Sequence, residues 1–271
     1  MRFEDFTDFE LTANGTSIRG FKGGDGPPLL LLHGSAHSPR LWLAVAGQLA
    51  ERHAIVVPDI DFAALRDGRP TSGDTGTGHD AANPGGTTRT AQRDGSPLAA
   101  AATQTAPFGH REIAAEQVAM MEALGYAQFM VCGHLDGARV AQRLALDHGG
   151  CVDRMMVLDT APTLPSELDG VPDPDDASAT NGAVPPTYIV DAEHADRELA
   201  RGNLERGEKI ACPVRVLWGG RGAWTIHPLD GWRQVARDTS GRAFECAPCI
   251  PEHAPDALLD EMSRFFDTRA C

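Results

Sequence analysis

Basic residues are scarce in this chain: 24 Lys and Arg stand against 38 Asp and Glu, a formal net charge of −14. A nucleic-acid surface needs clustered cations to neutralise phosphates, so nucleic acid is not an expected partner. Anionic membrane surfaces are disfavoured for the same reason. A basic pocket inside the acidic shell could still take an acidic small substrate. Long apolar runs are missing too. Nothing approaches the roughly 18 residues that suggest a transmembrane helix, so no membrane association is expected. The opening Met1-Arg2-Phe3-Glu4-Asp5-Phe6 lacks the basic start and apolar core of a secretory signal. The expected location is the cytoplasm, where the six cysteines remain thiols rather than a disulfide framework. No internal repeat is present.

What is present suits one globular domain. With 271 residues, 42% of them hydrophobic, the chain can bury a sizeable α/β core. Phe6–Thr12 and Thr16–Gly23 are β-rich and flank Ala13-Asn14-Gly15, a hairpin signal. Pro28-Leu29-Leu30-Leu31-Leu32 and Ala54-Ile55-Val56-Val57-Pro58-Asp59 are short continuous apolar runs, as buried parallel strands require. Between them, Pro39 to Glu51 predicts a helix with proline near its first turn. After residue 109 helices and strands alternate. The helices are His110–Leu124, Gly137–His148, about Asp191–Arg206 and one from near Pro228. The strands are Phe129–His134, Met155–Asp159, Val214–Trp218 and Arg242–Cys246. A final helix carries Leu258, Leu259, Met262, Phe265 and Phe266 as an apolar stripe. Such alternation predicts a mostly parallel sheet flanked by helices. Phe62 to Phe108 breaks the pattern: Gly, Thr, Ala, Asp, Pro and Arg dominate, and it reads as a low-complexity insert or loop.

The decisive run is Gly133-His134-Leu135-Asp136-Gly137, placed between a strand and a helix. There the Gly-x-nucleophile-x-Gly elbow lifts its central side chain above the sheet edge. It continues through Ala138-Arg139-Val140-Ala141, and later come Val157-Leu158-Asp159-Thr160-Ala161-Pro162, Val216-Leu217-Trp218-Gly219 and Pro251-Glu252-His253-Ala254-Pro255. With His33-Gly34 before the first long helix, this pattern resembles the α/β-hydrolase fold, and within it the fluoroacetate and haloacetate dehalogenases near the epoxide hydrolases. The resemblance covers most of the chain outside Phe62–Phe108 and Thr163–Tyr188. It implies a single α/β-hydrolase domain over residues 1–271, with a reduced cap over residues 160–208. Homodimerisation is a further expectation from it.

In that family an elbow aspartate attacks carbon, a second aspartate and a histidine activate water, and arginines hold the substrate carboxylate. Carried over position by position, the nucleophile falls on Leu135, which has no lone pair and excludes covalent attack. The acid falls on Asp159. An ungapped reading puts the histidine at Pro248, which cannot accept a proton. The first arginine falls on Asp136 and the second on Arg139.

Each candidate has two readings. Asp136 is either a general base or displaced nucleophile, or a cap for the helix it opens. His134 either packs beneath neighbouring loops or moves protons. Asp159 is either catalytic or an inherited carboxylate bound to backbone donors. Arg139 either grips a substrate carboxylate or pairs with Asp136. His33 and Ser35 lie on the oxyanion-side loop, His33 with a structural reading and Ser35 as a polar partner for His37; Leu135, His33 and Ser35 join Arg139 as candidate substrate contacts. His110 reads as solvated. Cys246-Ala247-Pro248-Cys249 with His253 offers three zinc ligands but not the fourth of a structural site, so no metal and no cofactor is expected. The reading is an atypical α/β-hydrolase-fold protein for a small molecule, favouring elimination, isomerisation or cyclisation. The alternatives are a non-catalytic binding protein and a residual hydrolase using Asp136.

Overall fold

The computed structural model describes residues 5–62, 109–165, 187–224 and 226–267; side chains are described within these ranges except 187–192. They all belong to one compact unit, Met1–Arg69 with Pro107–Cys271. A second unit, Pro70–Ala106, lies outside the described residues, as does most of the low-complexity stretch.

The strands are β1 (Thr7–Ala13), β2 (Thr16–Gly23), β3 (Pro28–Leu32), β4 (Ala54–Pro58), β5 (Phe129–His134), β6 (Val152–Leu158), β7 (Val214–Gly219) and β8 (Thr239–Phe244). The helices are α1 (Leu43–Leu49), α2 (His110–Ala123), α3 (Asp136–Asp147), α4 (Thr187–Glu205), α5 (Pro228–Val235), α6 (Ile250–His253) and α7 (Pro255–Phe266). They form one eight-stranded sheet in the order β1-β2-β4-β3-β5-β6-β7-β8. β1 and β2 pair antiparallel, as do β2 and β4, and every pairing from β4 to β8 is parallel. The expected mostly parallel sheet flanked by helices is therefore the observed fold.

Strand geometry explains the unbroken apolar runs. Side chains alternate between faces, so a strand covered by helices on both sides needs apolar residues at every position. Leu30, Leu32, Val56, Val131, Met155 and Val157 enter one core, with Ile113, Met121, Leu144 and Trp232. Leu29, Leu31, Ile55, Val57, Cys132 and Met156 enter the other, with Val45, Leu49, Leu258 and Met262. Each of the four β3 leucines is fully buried, a contribution of about 1.5–3 kcal/mol apiece.

Two boundaries depart from the pattern. β6 starts at Val152 rather than Met155, because parallel pairing to β5 begins at Phe129 opposite Val152. β8 runs over Thr239–Phe244 rather than Arg242–Cys246. It is an edge strand paired on one side only, and its polar Thr-Ser-Gly start carries no apolar signal. The first long helix also divides, into a 3₁₀ turn at Pro39–Trp42 and α1.

Helix α7 is anchored by Glu261, 4% exposed. Its Oε2 accepts from Arg215 Nε at 3.1 Å and Nη2 at 2.6 Å, and its Oε1 accepts from Arg242 Nε at 2.9 Å. Burial alone would raise the carboxyl pKa, but the two guanidinium groups outweigh it and hold the group below its usual range. The Glu261→Gln variant should therefore lose about 1.5–3 kcal/mol, the worth of charged hydrogen bonds. Its deficit should be complete above the unfolded carboxyl pKa and vanish as pH falls through the depressed folded value. Urea unfolding at pH 7 and at pH 3 measures this, and an equal deficit at both would refute it.

Candidate functional site

The sheet order reverses around β3: β4 lies on one side and β5, with all later strands, on the other. Open α/β sheets bind ligands outside the carboxyl ends of strands at such a switch point. The candidate residues gather there, because Leu32 and Gly133 end β3 and β5 side by side.

The elbow is built from close approaches. A Cβ on Gly133 would stand 2.4 Å from the Gly137 carbonyl oxygen, and one on Gly137 would stand 2.4 Å from that of Leu32. Only glycine fits either place. Between them Leu135 has φ 50° and ψ −118°, a conformation costly for a branched side chain, of order 1–3 kcal/mol. Leu135 donates its N–H to the Leu158 carbonyl at 3.2 Å. The predicted turn is present, with leucine at its apex.

Asp136 opens α3, where the helix dipole favours an anion. Its Oδ2 accepts from the Ser35 N–H at 3.1 Å and also from the Ser35 hydroxyl. Its Oδ1 lies 3.6 Å from Arg139 Nη1 and 3.9 Å from His110 Nε2. Burial would raise this carboxyl, but the nearby His110 ring, the bonds from Ser35 and the charge of Arg139 override it and drive the pKa far down. Asp136 is thus anionic and ties the β3 loop to α3. Arg139 reaches Asp136 and also lines the pocket described below, so both of its expected partners lie within reach.

Asp159 is 2% exposed. Its Oδ1 accepts from Gly219 N–H at 2.8 Å, and its Oδ2 from Cys249 and Ile250 N–H at 3.0 and 2.8 Å. The carboxylate holds the β7 end and the start of α6 in place. His134 is fully buried, neither ring nitrogen makes a hydrogen bond, and its Nε2 is 3.5 Å from Asp159 Oδ2. Its ring packs edge-on against His37. His33 Nδ1 bonds the Gly34 carbonyl at 2.9 Å and its Nε2 receives the Ile60 N–H at 3.1 Å, which joins the ends of β3 and β4. Burial lowers its pKa, so the ring is neutral. Pro248 contributes a carbonyl that accepts from His253 Nδ1 at 2.7 Å.

His110 departs from expectation. Rather than solvated, it is 6% exposed, and Asp196 of α4 lies against it at the start of α2. Its Nδ1 lies 2.5 Å from Asp196 Oδ2, while its buried Nε2 has no hydrogen-bond partner. Burial opposes the imidazolium, but the Asp136 and Asp196 carboxylates outweigh it and raise the pKa. Neither His110 nor Asp196 belongs to a sequence motif; they are 86 positions apart, and only the packing of α4 joins them.

A pocket of about 270 Å³ opens here, lined by His110, Arg139, Thr160, Asp196, Arg197 and Trp224 among others. Asp159 reaches its wall as well, but Leu135, His134, Asp136, His33 and Ser35 are not among its lining residues. The cavity thus sits beside the elbow rather than on its apex.

This geometry has close counterparts. Over 98% of this chain and 100% of the other, the structure superposes on ALR0039 of Nostoc sp PCC 7120, described as an alpha/beta hydrolase, with a TM-score of 0.68 and 25% identity. The chain has the α/β-hydrolase fold. The epoxide hydrolase CorEH superposes similarly, with a TM-score of 0.69 and 20% identity over 97% of this chain and 99% of its own. In sequence, this α/β-hydrolase-fold chain is similar to a fluoroacetate dehalogenase of Burkholderia sp, 30% identical over 161 residues, which are 59% of this chain and 43% of the dehalogenase. The match thus spans less than half of that relative's length. A soluble epoxide hydrolase of Corynebacterium sp. (strain C12) is 24% identical across 97% of this chain and 98% of its own length. No protein-family model matches the sequence. Among the described residues no helix is long and apolar enough to cross a membrane.

Proposed function

We propose that this chain takes a small anionic molecule into the pocket beside its elbow and acts on it by proton transfer rather than by covalent hydrolysis. One observation carries the reading: His110, in the pocket wall, is fixed at Nδ1 by Asp196, while its buried Nε2 has no hydrogen-bond partner and lies 3.9 Å from Asp136 Oδ1. A histidine so held is poised as an acid–base group, with the carboxylate setting its orientation and stabilising its charged form. Burial opposes its charge, but the Asp136 and Asp196 carboxylates raise its pKa, which favours His110 as a proton donor to a developing anion.

Three features support the absence of a covalent route. Leu135 offers no nucleophile. Ser35 N–H, on the loop expected to stabilise an oxyanion, already binds the Asp136 carboxylate. Asp136 is held by Ser35 and driven far below the usual carboxylate pKa, which makes it a poor base and poor nucleophile. Arg139 supplies the charge for a substrate carboxylate, in line with the dehalogenase relative. At about 270 Å³ the cavity lies just below the roughly 300–1,000 Å³ of typical ligand pockets, which suits a small molecule. Helix α4, within the span expected as a reduced cap, supplies Asp196 and Arg197 to its wall. Elimination, isomerisation and cyclisation all need such positioning plus one proton donor.

The test is a panel of fluoroacetate, chloroacetate, a simple epoxide and an activated ester, run with calorimetric binding of short carboxylates. The expected result is no halide, diol or alcohol release. Carboxylate binding should weaken about tenfold in Arg139→Ala, the usual size of a lost charged contact. His110→Gln should abolish turnover of any substrate found by metabolite screening. Retained turnover in that variant would overturn His110 as the proton donor. Hydrolysis lost in Asp136→Asn would overturn the reading.

A further inference from the structure

Outside the residues that line the pocket, three side chains of different chemistry converge. His37 Nε2 lies 3.6 Å from Cys249 Sγ. With the Glu252 carboxylate, these ligand atoms all lie within 4.8 Å of one another. We propose that His37, Cys249 and Glu252 bind one divalent cation of the zinc class, in a three-ligand site with an open coordination position.

The spacing fits such an ion. Zinc bonds of about 2.0 Å to nitrogen and 2.3 Å to sulfur place neighbouring tetrahedral ligands roughly 3.3–3.8 Å apart. The His37–Cys249 separation already falls in that range. Glu252 is exposed, so its side chain can swing the remaining distance. The donor set of imidazole, thiolate and carboxylate suits a borderline cation better than magnesium or calcium, which prefer oxygen.

The backbone holds the donors in place without an ion. His37 closes a turn by donating its N–H to the Gly34 carbonyl at 2.9 Å. The Cys249 N–H is held by Asp159, and the Glu252 N–H donates to the Cys249 carbonyl at 3.0 Å. His37 Nδ1, on the far side of the ring from Cys249, is buried and makes no hydrogen bond, so no protein acceptor fixes the tautomer of the ring. The thiol is pushed up to about 11 by burial and by the Glu252 charge, so the bare cluster keeps its proton. Metal binding would form the metal–sulfur bond as the thiol proton leaves to solvent. A groove of about 540 Å³ with Ser38, Arg40 and Glu252 in its wall opens alongside, and gives water or an anionic ligand access to the fourth position. The pairing of Cys249 with His253 and Cys246 considered from sequence is replaced, because His253 turns to the Pro248 carbonyl and Cys246 lies outside the cluster.

Chelator-stripped protein titrated with Zn²⁺ and Co²⁺ tests this. The expected result is one equivalent bound per chain, with a thiolate-to-cobalt charge-transfer band in the near ultraviolet. Cys249→Ser should remove the band, and His37→Gln and Glu252→Gln should each weaken binding at least tenfold. Cys246→Ser should change neither. Glu252→Gln alters an exposed side chain, so it reports on the site without endangering the fold. Absence of the band, or equal binding by wild type, Cys249→Ser and Glu252→Gln, would overturn the proposal.

Discussion

Replacing Asp196 by alanine should destabilise the protein by about 3–5 kcal/mol, because it leaves the buried His110 without the carboxylate that holds it. Asp196 and His110 are both nearly excluded from water, and their contact at 2.5 Å joins α4 to the start of α2. Breaking one side of such a pair costs more than removing both, so the His110→Phe, Asp196→Leu double variant should fall well short of the summed single losses. The same pair sets a pH dependence. The folded pKa of His110 is raised, so its stabilising contribution is complete below the unfolded value of about 6.5 and lost as pH rises through the folded value. Wild-type stability should therefore decline as pH rises above about 6.5, and His110→Gln should flatten that decline. Urea midpoints between pH 5 and 9 decide it: identical slopes in the two proteins would show that His110 is not charged in the fold.

Asp159→Ala is the second large effect. It removes the acceptor of three buried N–H groups, on Gly219, Cys249 and Ile250. An unsatisfied buried donor costs about 1–3 kcal/mol, so the total should reach about 3–5 kcal/mol, the upper range for one substitution. The loss has an address. The segment from Cys246 to His253 should loosen first, and the Cys249 thiol should react faster with a disulfide reagent than in wild type. Asp159→Asn keeps one carbonyl acceptor and should cost about half as much. A variant as stable as wild type, with Cys249 equally slow, would return Asp159 to a purely chemical role.

These two aspartates mark what could be read from the chain alone. Asp159 was locatable because it follows a continuous apolar strand inside a recognisable run, and backbone ligation was one of its two readings. The elbow was legible for the same reason: strand, glycines and helix are local, and Gly133 and Gly137 announce the close approaches that require them. The His110–Asp196 contact was not legible. It depends on how a polar helix packs across 86 positions of sequence, and no periodicity encodes that. The metal-ligand cluster was hidden likewise, since His37 meets Cys249 across 212 positions. The polar start of β8 was missed because an edge strand needs no apolar alternation.

The leucine at φ 50° has one more implication. Its torsion is dictated by the crossing of β5 into α3 over the Leu32 carbonyl, and not by anything the side chain does. The apex is therefore a fixed mounting point whose orientation outlasts its occupant. Any residue installed at position 135 would be presented in the same direction, already aimed, with no rebuilding of the backbone beneath it.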